Sequence, residues 1–136
     1  MNNPGLRSRA DSEKITINLG YVDLGHVDLL VRDGFYSNRT DFIRTAIRSQ
    51  LDRHREAAEK SVVRQQLDLG ISHFSRERLE AVRDAGEALD IRVLGLATIA
   101  ADVSPELARA AIASLTVLGG LQASAAVKRA LLDRTN

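Results

Sequence analysis

Lys14, Thr16 and Asn18 stand at alternate positions, with Ile15, Ile17 and Leu19 completing the run. An ammonium, a hydroxyl and a carboxamide offer hydrogen-bond donors and acceptors of the kind that read the edges of bases. The period of two puts these three on one face of a β-strand and the aliphatic residues on the other. Nothing nearby reads as a second strand, and an unpaired ladder of backbone groups is costly. The expected partner is therefore the same strand of another copy, giving a two-stranded intermolecular ribbon that fits the major groove of B-DNA. A second constellation follows at Ser37, Asn38 and Arg39. These residues open a helix, where free backbone N–H groups and the positive helix end make a seat for a phosphate. The same residues would also serve as a plain helix cap, and the two roles are compatible.

The elements that must position these groups are two helices. Leu24, Val27, Leu30 and Val31 recur at helical spacing, with Asp23 expected as N-cap and Gly34 as the residue just past the end. Asn38 and Asp41 read as a capping pair for a second helix. Phe42, Ile43, Ala46, Ile47 and Leu51 form its expected buried stripe, while Arg44 and Arg48 fall on another face. His26 reads as a surface or dimer-contact residue, since no second ligand is near it in sequence. The segment 52–61 is charged and holds no breaker, so the second helix is expected to continue as a spacer, with a domain boundary near residue 60.

This order of strand, helix, Gly-containing turn and helix, with Lys-x-Thr-x-Asn on the strand, resembles the ribbon-helix-helix family of CopG-like bacterial regulators over residues 13–55. The match rests on the strand alternation, on Gly34 to Asp41 and on Phe42 to Arg48. Gly20 stands where family members usually carry Pro, which touches only how the strand ends. The resemblance implies a homodimer on double-stranded DNA, with Lys14, Thr16 and Asn18 on the bases and Ser37, Asn38 and Arg39 on phosphates. Ile15, Ile17, Leu19, Phe42, Ile43 and Ile47 are then the expected dimer core. A transcriptional regulator, most simply a repressor, is the function it implies.

Composition is that of an ordinary globular protein, with 44% hydrophobic and 27% charged residues among 136. There is no Cys, so disulfides and thiolate metal sites are excluded. Without an apolar run of about 18 residues no membrane span is expected, and the reading is a cytoplasmic protein. A net charge of +1 gives no general attraction to nucleic acid, and residues 1–60 carry ten basic against nine acidic side chains. Any attraction to DNA must come from where charges sit. Residues 1–12, rich in Pro, Gly, Asn and Ser, are expected as a flexible basic arm whose Arg7 and Arg9 are candidates for phosphate or minor-groove contact.

From residue 61 the texture changes. Gly70, Gly95 and Gly119 sit in three aliphatic runs, 25 and then 24 residues apart. Helical segments are expected after each: Arg76 to Ala88 capped by Ser75, Leu107 to Ala113 after Ser104-Pro105, and Ala125 to Leu132 after Ser124. The expectation for 61–136 is a small α/β module of about three strand-helix repeats, stacked as a solenoid or a compact parallel layer. Its exposed edges and apolar faces point to self-association, into a tetramer or larger. The whole is thus α+β. Gly119-Gly120 lacks dinucleotide or P-loop spacing, His73 has no companion ligand, and no activated serine is present. No enzyme, metal or cofactor is expected. An antitoxin, a plasmid-partition-type protein, a ligand-sensing regulator and a polymerising scaffold share some of these features; an antitoxin would normally carry a disordered tail instead of this patterned half.

Overall fold

The computed structural model describes residues 12–136; the expected arm with Arg7 and Arg9 lies outside the described residues, apart from Ser12. The chain divides into two compact units, 12–61 and 62–136. The description is mixed helix and strand, with six α-helices and three parallel strands.

In the first unit, α1 (Tyr21–Arg32) and α2 (Arg39–Arg53) form a helical hairpin. Gly20, in extended conformation, is the N-cap of α1, so Asp23 lies inside the first turn and is not the cap. There its carboxylate still complements the positive helix end. Gly34 closes α1 at φ +86, and the amides of Gly34 and Phe35 return to the carbonyls of Val31 and Leu30. That paired return is a Schellman stop, and its αL residue is why glycine stands there. Tyr36 and Phe42 meet edge to face at 5.0 Å.

The expected strand at 14–19 is not formed in the single chain: residues 12–20 have no regular secondary structure. A strand exists through its ladder, and no neighbouring strand is present to supply one. The expected stripe of α2 is likewise only half realised. Phe42 and Ile43 are half-buried, while Ala46, Ile47 and Leu51 are exposed. Nor does α2 run on unbroken, because its hydrogen bonding is interrupted at His54 before α3 (Arg55–Arg64) begins.

The second unit alternates strand and helix: β1 (Asp68–Phe74), α4 (Arg76–Asp84), β2 (Leu89–Ile99), α5 (Pro105–Ala111), β3 (Ile112–Gln122) and α6 (Ala125–Ala130), then a 3-10 turn at Leu132–Arg134. The strands are parallel in the order β1-β2-β3. Ser75, Ser104 and Ser124 each accept a hydrogen bond from the amide three residues on, so all three helices start on serine caps. α4 stops at Asp84, earlier than Ala88, because Gly86 takes φ +71 and turns the chain toward β2. α5 stops at Ala111, where the backbone passes directly into β3, and α6 is shorter than expected too.

Gly70, Gly95 and Gly119 lie side by side in register across the sheet, all at positive φ. A Cβ on Gly95 would collide with the carbonyl oxygen of Gly70, and one on Gly119 with that of Gly95. The recurring glycine therefore marks a close backbone approach, and only glycine combines that approach with that φ. Odd-numbered residues of β2 (Ile91, Val93, Ala97 and Ile99) are buried beneath the helices with Leu79, Leu107, Leu115, Val127 and Leu131. Period-two alternation leaves the even-numbered residues on the other side of the sheet.

Candidate nucleic-acid interface

Apart from Arg7 and Arg9, which lie outside the described residues, the residues expected to meet DNA lie in the unit 12–61. Lys14, Thr16 and Asn18 are exposed, as are Ile15 (79%), Ile17 (59%) and Leu19 (44%) between them. Ile47 (54%) and Leu51 (66%) on α2 are exposed as well, so the unit leaves several large aliphatic side chains open to solvent. Val27 is the single buried hydrophobic residue of the unit. One buried side chain is little apolar burial for a unit of this size.

At the start of α2 the cap is fully built. The Asn38 side chain accepts from the Asp41 amide at 2.8 Å, and the Asp41 carboxylate accepts from the Ser37 amide at 2.9 Å. This exchange fixes the entry of the helix and orients its first-turn amides. The N–H groups of Arg39 and Thr40, as the first two of the helix, have no intrahelical acceptor. They are free in geometry to face an anion.

Arg39 itself is engaged. Its Nε donates to Oδ1 of Asp28 at 2.7 Å and its Nη2 to Oδ2 at 2.8 Å, a two-pronged pair between α2 and α1. The hydrogen bonds and charge of Arg39 hold the Asp28 carboxyl below its ordinary range, and Asp28 in turn raises the guanidinium. Both side chains are about half exposed, so the pair is accessible to a competing anion. Sequence reasoning missed Asp28: eleven residues separate the partners, and no local rule joins them. Arg44 and Arg48 are exposed on α2.

The structure thus brings Ser37, Asn38 and Arg39 together at one helix start. It places Lys14, Thr16 and Asn18 on an exposed segment without regular secondary structure. Among the described residues there is no cluster of three His, Asp or Glu arranged to hold a metal ion, and no buried polar or charged side chain. His73 is committed to Thr98, with Nδ1 and Oγ1 at 2.6 Å. No described helix is long and apolar enough to cross a membrane.

Compared with known proteins, residues 10–128 match the model of the ribbon-helix-helix transcriptional regulator family. Neither a curated protein nor a solved structure matches the chain.

Proposed function

Since the chain belongs to the ribbon-helix-helix transcriptional regulator family, we propose that it is a cytoplasmic, sequence-specific DNA-binding repressor that acts as a homodimer. Residues 14–19 of two copies pair antiparallel and enter the major groove, with Lys14, Thr16 and Asn18 on base edges. Ile15, Ile17 and Leu19 then face inward and meet Phe42, Ile43 and Ile47 of both copies. The start of α2, with Ser37, Asn38 and Arg39, seats a backbone phosphate on each side.

The observation that carries this reading is the exposure of Ile15, Ile17, Leu19, Ile47 and Leu51 in a unit with one buried side chain. A second copy covers them all and supplies the missing ladder at one stroke. The unit 62–136 carries its own core, which is unlike a tail that folds on a toxin, so a regulator is favoured over an antitoxin. Its role in this proposal is to join dimers on adjacent half-sites, which raises overall affinity by ~10²–10⁴ without any new DNA contact.

The test is selection of duplexes from a random pool by the full-length protein, followed by binding titrations of the winners at several salt concentrations. Enrichment of a short repeated half-site, and its loss of preference with Asn18→Ala, is the expected result. A pool that stays random, or a preference untouched by substitutions at 14, 16 and 18, would remove the base-reading role.

A further inference from the structure

The sheet of residues 62–136 has one face covered by α4, α5 and α6 and one face bare. On the bare face the in-register rows Leu69-Leu94-Leu118 and Ile71-Leu96-Gly120 lie next to each other across all three strands. Leu69 is 75% exposed, Ile71 72% and Leu118 49%. Leu94 and Leu96 take no part in the core under the helices. Polar rows bound this apolar band at both ends: Arg92 and Thr116 on one side, His73, Thr98 and Gln122 on the other. Several of these rim groups are satisfied within the chain, His73 by Thr98 and Arg92 by the Gln65 carbonyl at 2.7 Å. An apolar centre with a polar, already hydrogen-bonded rim is the anatomy of an association surface.

We propose that this bare sheet face is the surface through which dimers are joined, by packing against the same face of a second copy. The proposal rests on the assembly role given above to residues 62–136 and names the surface for it. Three observations select a second copy as the occupant.

The first is area. Three strands ~4.8 Å apart and about seven residues long at ~3.3 Å each give a face of roughly 14 by 23 Å. Two such faces stacked ~10 Å apart bury roughly 650 Å² in total, short of the ~1,000 Å² of a specific interface. A single contact of that size is weak. Two dimers, each carrying two modules, make two such contacts at once, and the second forms at high effective concentration.

The second is shape. Gly120, in the row with Ile71 and Leu96, adds no Cβ to the β3 side of this face, so an identical face can approach closely there. The third is that the start of the β3 edge is already taken: Thr135 bridges Leu115, and the Asn136 amide donates to the Leu115 carbonyl at 2.9 Å. Growth by adding strands at that end of β3 is obstructed there. Face-to-face packing about a two-fold axis is self-complementary, and when both sheet contacts join the same two dimers the assembly closes as a tetramer.

The chain contains no cysteine, so a single introduced cysteine reports on its own surroundings. Leu96→Cys on the central strand lies nearest the expected two-fold axis, and Glu80→Cys on α4 serves as the control on the covered side. In the full-length protein under mild oxidation, Leu96→Cys is expected to form an interchain disulfide at least tenfold faster than Glu80→Cys. In parallel, Leu69→Lys combined with Leu118→Lys, both at exposed positions, should convert tetramer to dimer by sedimentation. Circular dichroism and binding to a one-half-site duplex should remain unchanged, while cooperative binding to a two-half-site duplex is lost.

A wild-type chain that sediments as a dimer at all concentrations would overturn both the face and the assembly role. A lysine variant that stays tetrameric would overturn the face alone. If neither protein binds any duplex, the DNA-binding reading fails, while mass and cross-linking still decide the sheet face. Capture of a different protein by a face that remains unpaired in the pure chain would also overturn the proposal.

Discussion

The two units of this protein use the same hydrophobic residues to opposite ends. In 62–136, Leu79, Ala97, Ile112 and Leu131 are inaccessible to solvent and one chain closes one core. In 12–61, Ile15, Ile17, Ile47 and Leu51 lie bare around a lone buried Val27. The first arrangement is a fold closed within one chain; the second is, in the proposed homodimer, half of one. In the proposed dimer, a reading surface that forms only on pairing would tie DNA recognition to the symmetric species that matches a two-fold half-site arrangement.

That contrast can be broken most severely at Ile17. Replacing it with Asp places a charge where, in the proposed dimer, two copies close a dry core, which real proteins tolerate poorly. The expected result is loss of the dimer and of all specific DNA binding, while circular dichroism retains the signal of residues 62–136. Loss of structure in both units together would mean they do not fold separately.

Leu79→Ala makes the complementary cut. Removing a fully buried leucine is expected to cost ~2–5 kcal/mol, read as a lower denaturation midpoint for the second unit. Binding of a one-half-site duplex below that midpoint should be unaffected. The glycine row sharpens the same comparison. Gly95→Ala meets both an unfavourable φ and the Gly70 carbonyl, whereas Gly70→Ala meets the φ alone, with nothing within 4 Å of the added Cβ. The strain of an L-residue in that region is ~1–3 kcal/mol, so Gly95→Ala should destabilise by more than Gly70→Ala in urea titrations. Equal effects would remove the close approach as the reason for glycine.

The smallest expected effect concerns Asp28. Its carboxyl is held below the ordinary range by Arg39, so the pair steadies the α1–α2 hairpin at and above the usual carboxylate range. That contribution is lost as pH falls below the usual carboxylate range and through the lowered value. Asp28→Asn should therefore abolish this acid-side transition in an NMR titration of the Arg39 side chain. At neutral pH it should release Arg39 to phosphate, tightening binding to all duplexes alike and steepening the salt dependence by about one unit. Unchanged affinity and slope would leave Arg39 as a helix-pairing residue only.

Much of the second unit was legible because its signals are local and repeated. Serine caps at Ser75, Ser104 and Ser124 and glycines at 25- and 24-residue spacing announce three strand-helix units. The strand lengths were not legible, since β2 and β3 extend through residues whose pairing depends on neighbours far along the chain. Gly86 was a readable stop for α4, by the same logic that identifies Gly34, and was passed over. Asp23 misled because a short polar residue ahead of an apolar stripe looks like a cap, whereas the extended backbone of Gly20 already starts the helix. In the candidate interface, Asn38 and Asp41 were readable from their spacing. The partnership of Arg39 with Asp28 was not, because it is made by the crossing of two helices.

The glycine row also sets where this protein tolerates changes of length. Gly70, Gly95 and Gly119 must stay abreast, so the count of residues from each to the next is fixed only as far as the intervening helix and turns can absorb slack. They already do so: one interval is a residue longer than the other, and the register shifts between Leu89 and Asp90. A residue inserted beside Gly86 changes a turn. The same residue inserted between Val93 and Gly95 would carry a side chain into the path of a neighbouring carbonyl and exchange the covered and bare faces of everything beyond it.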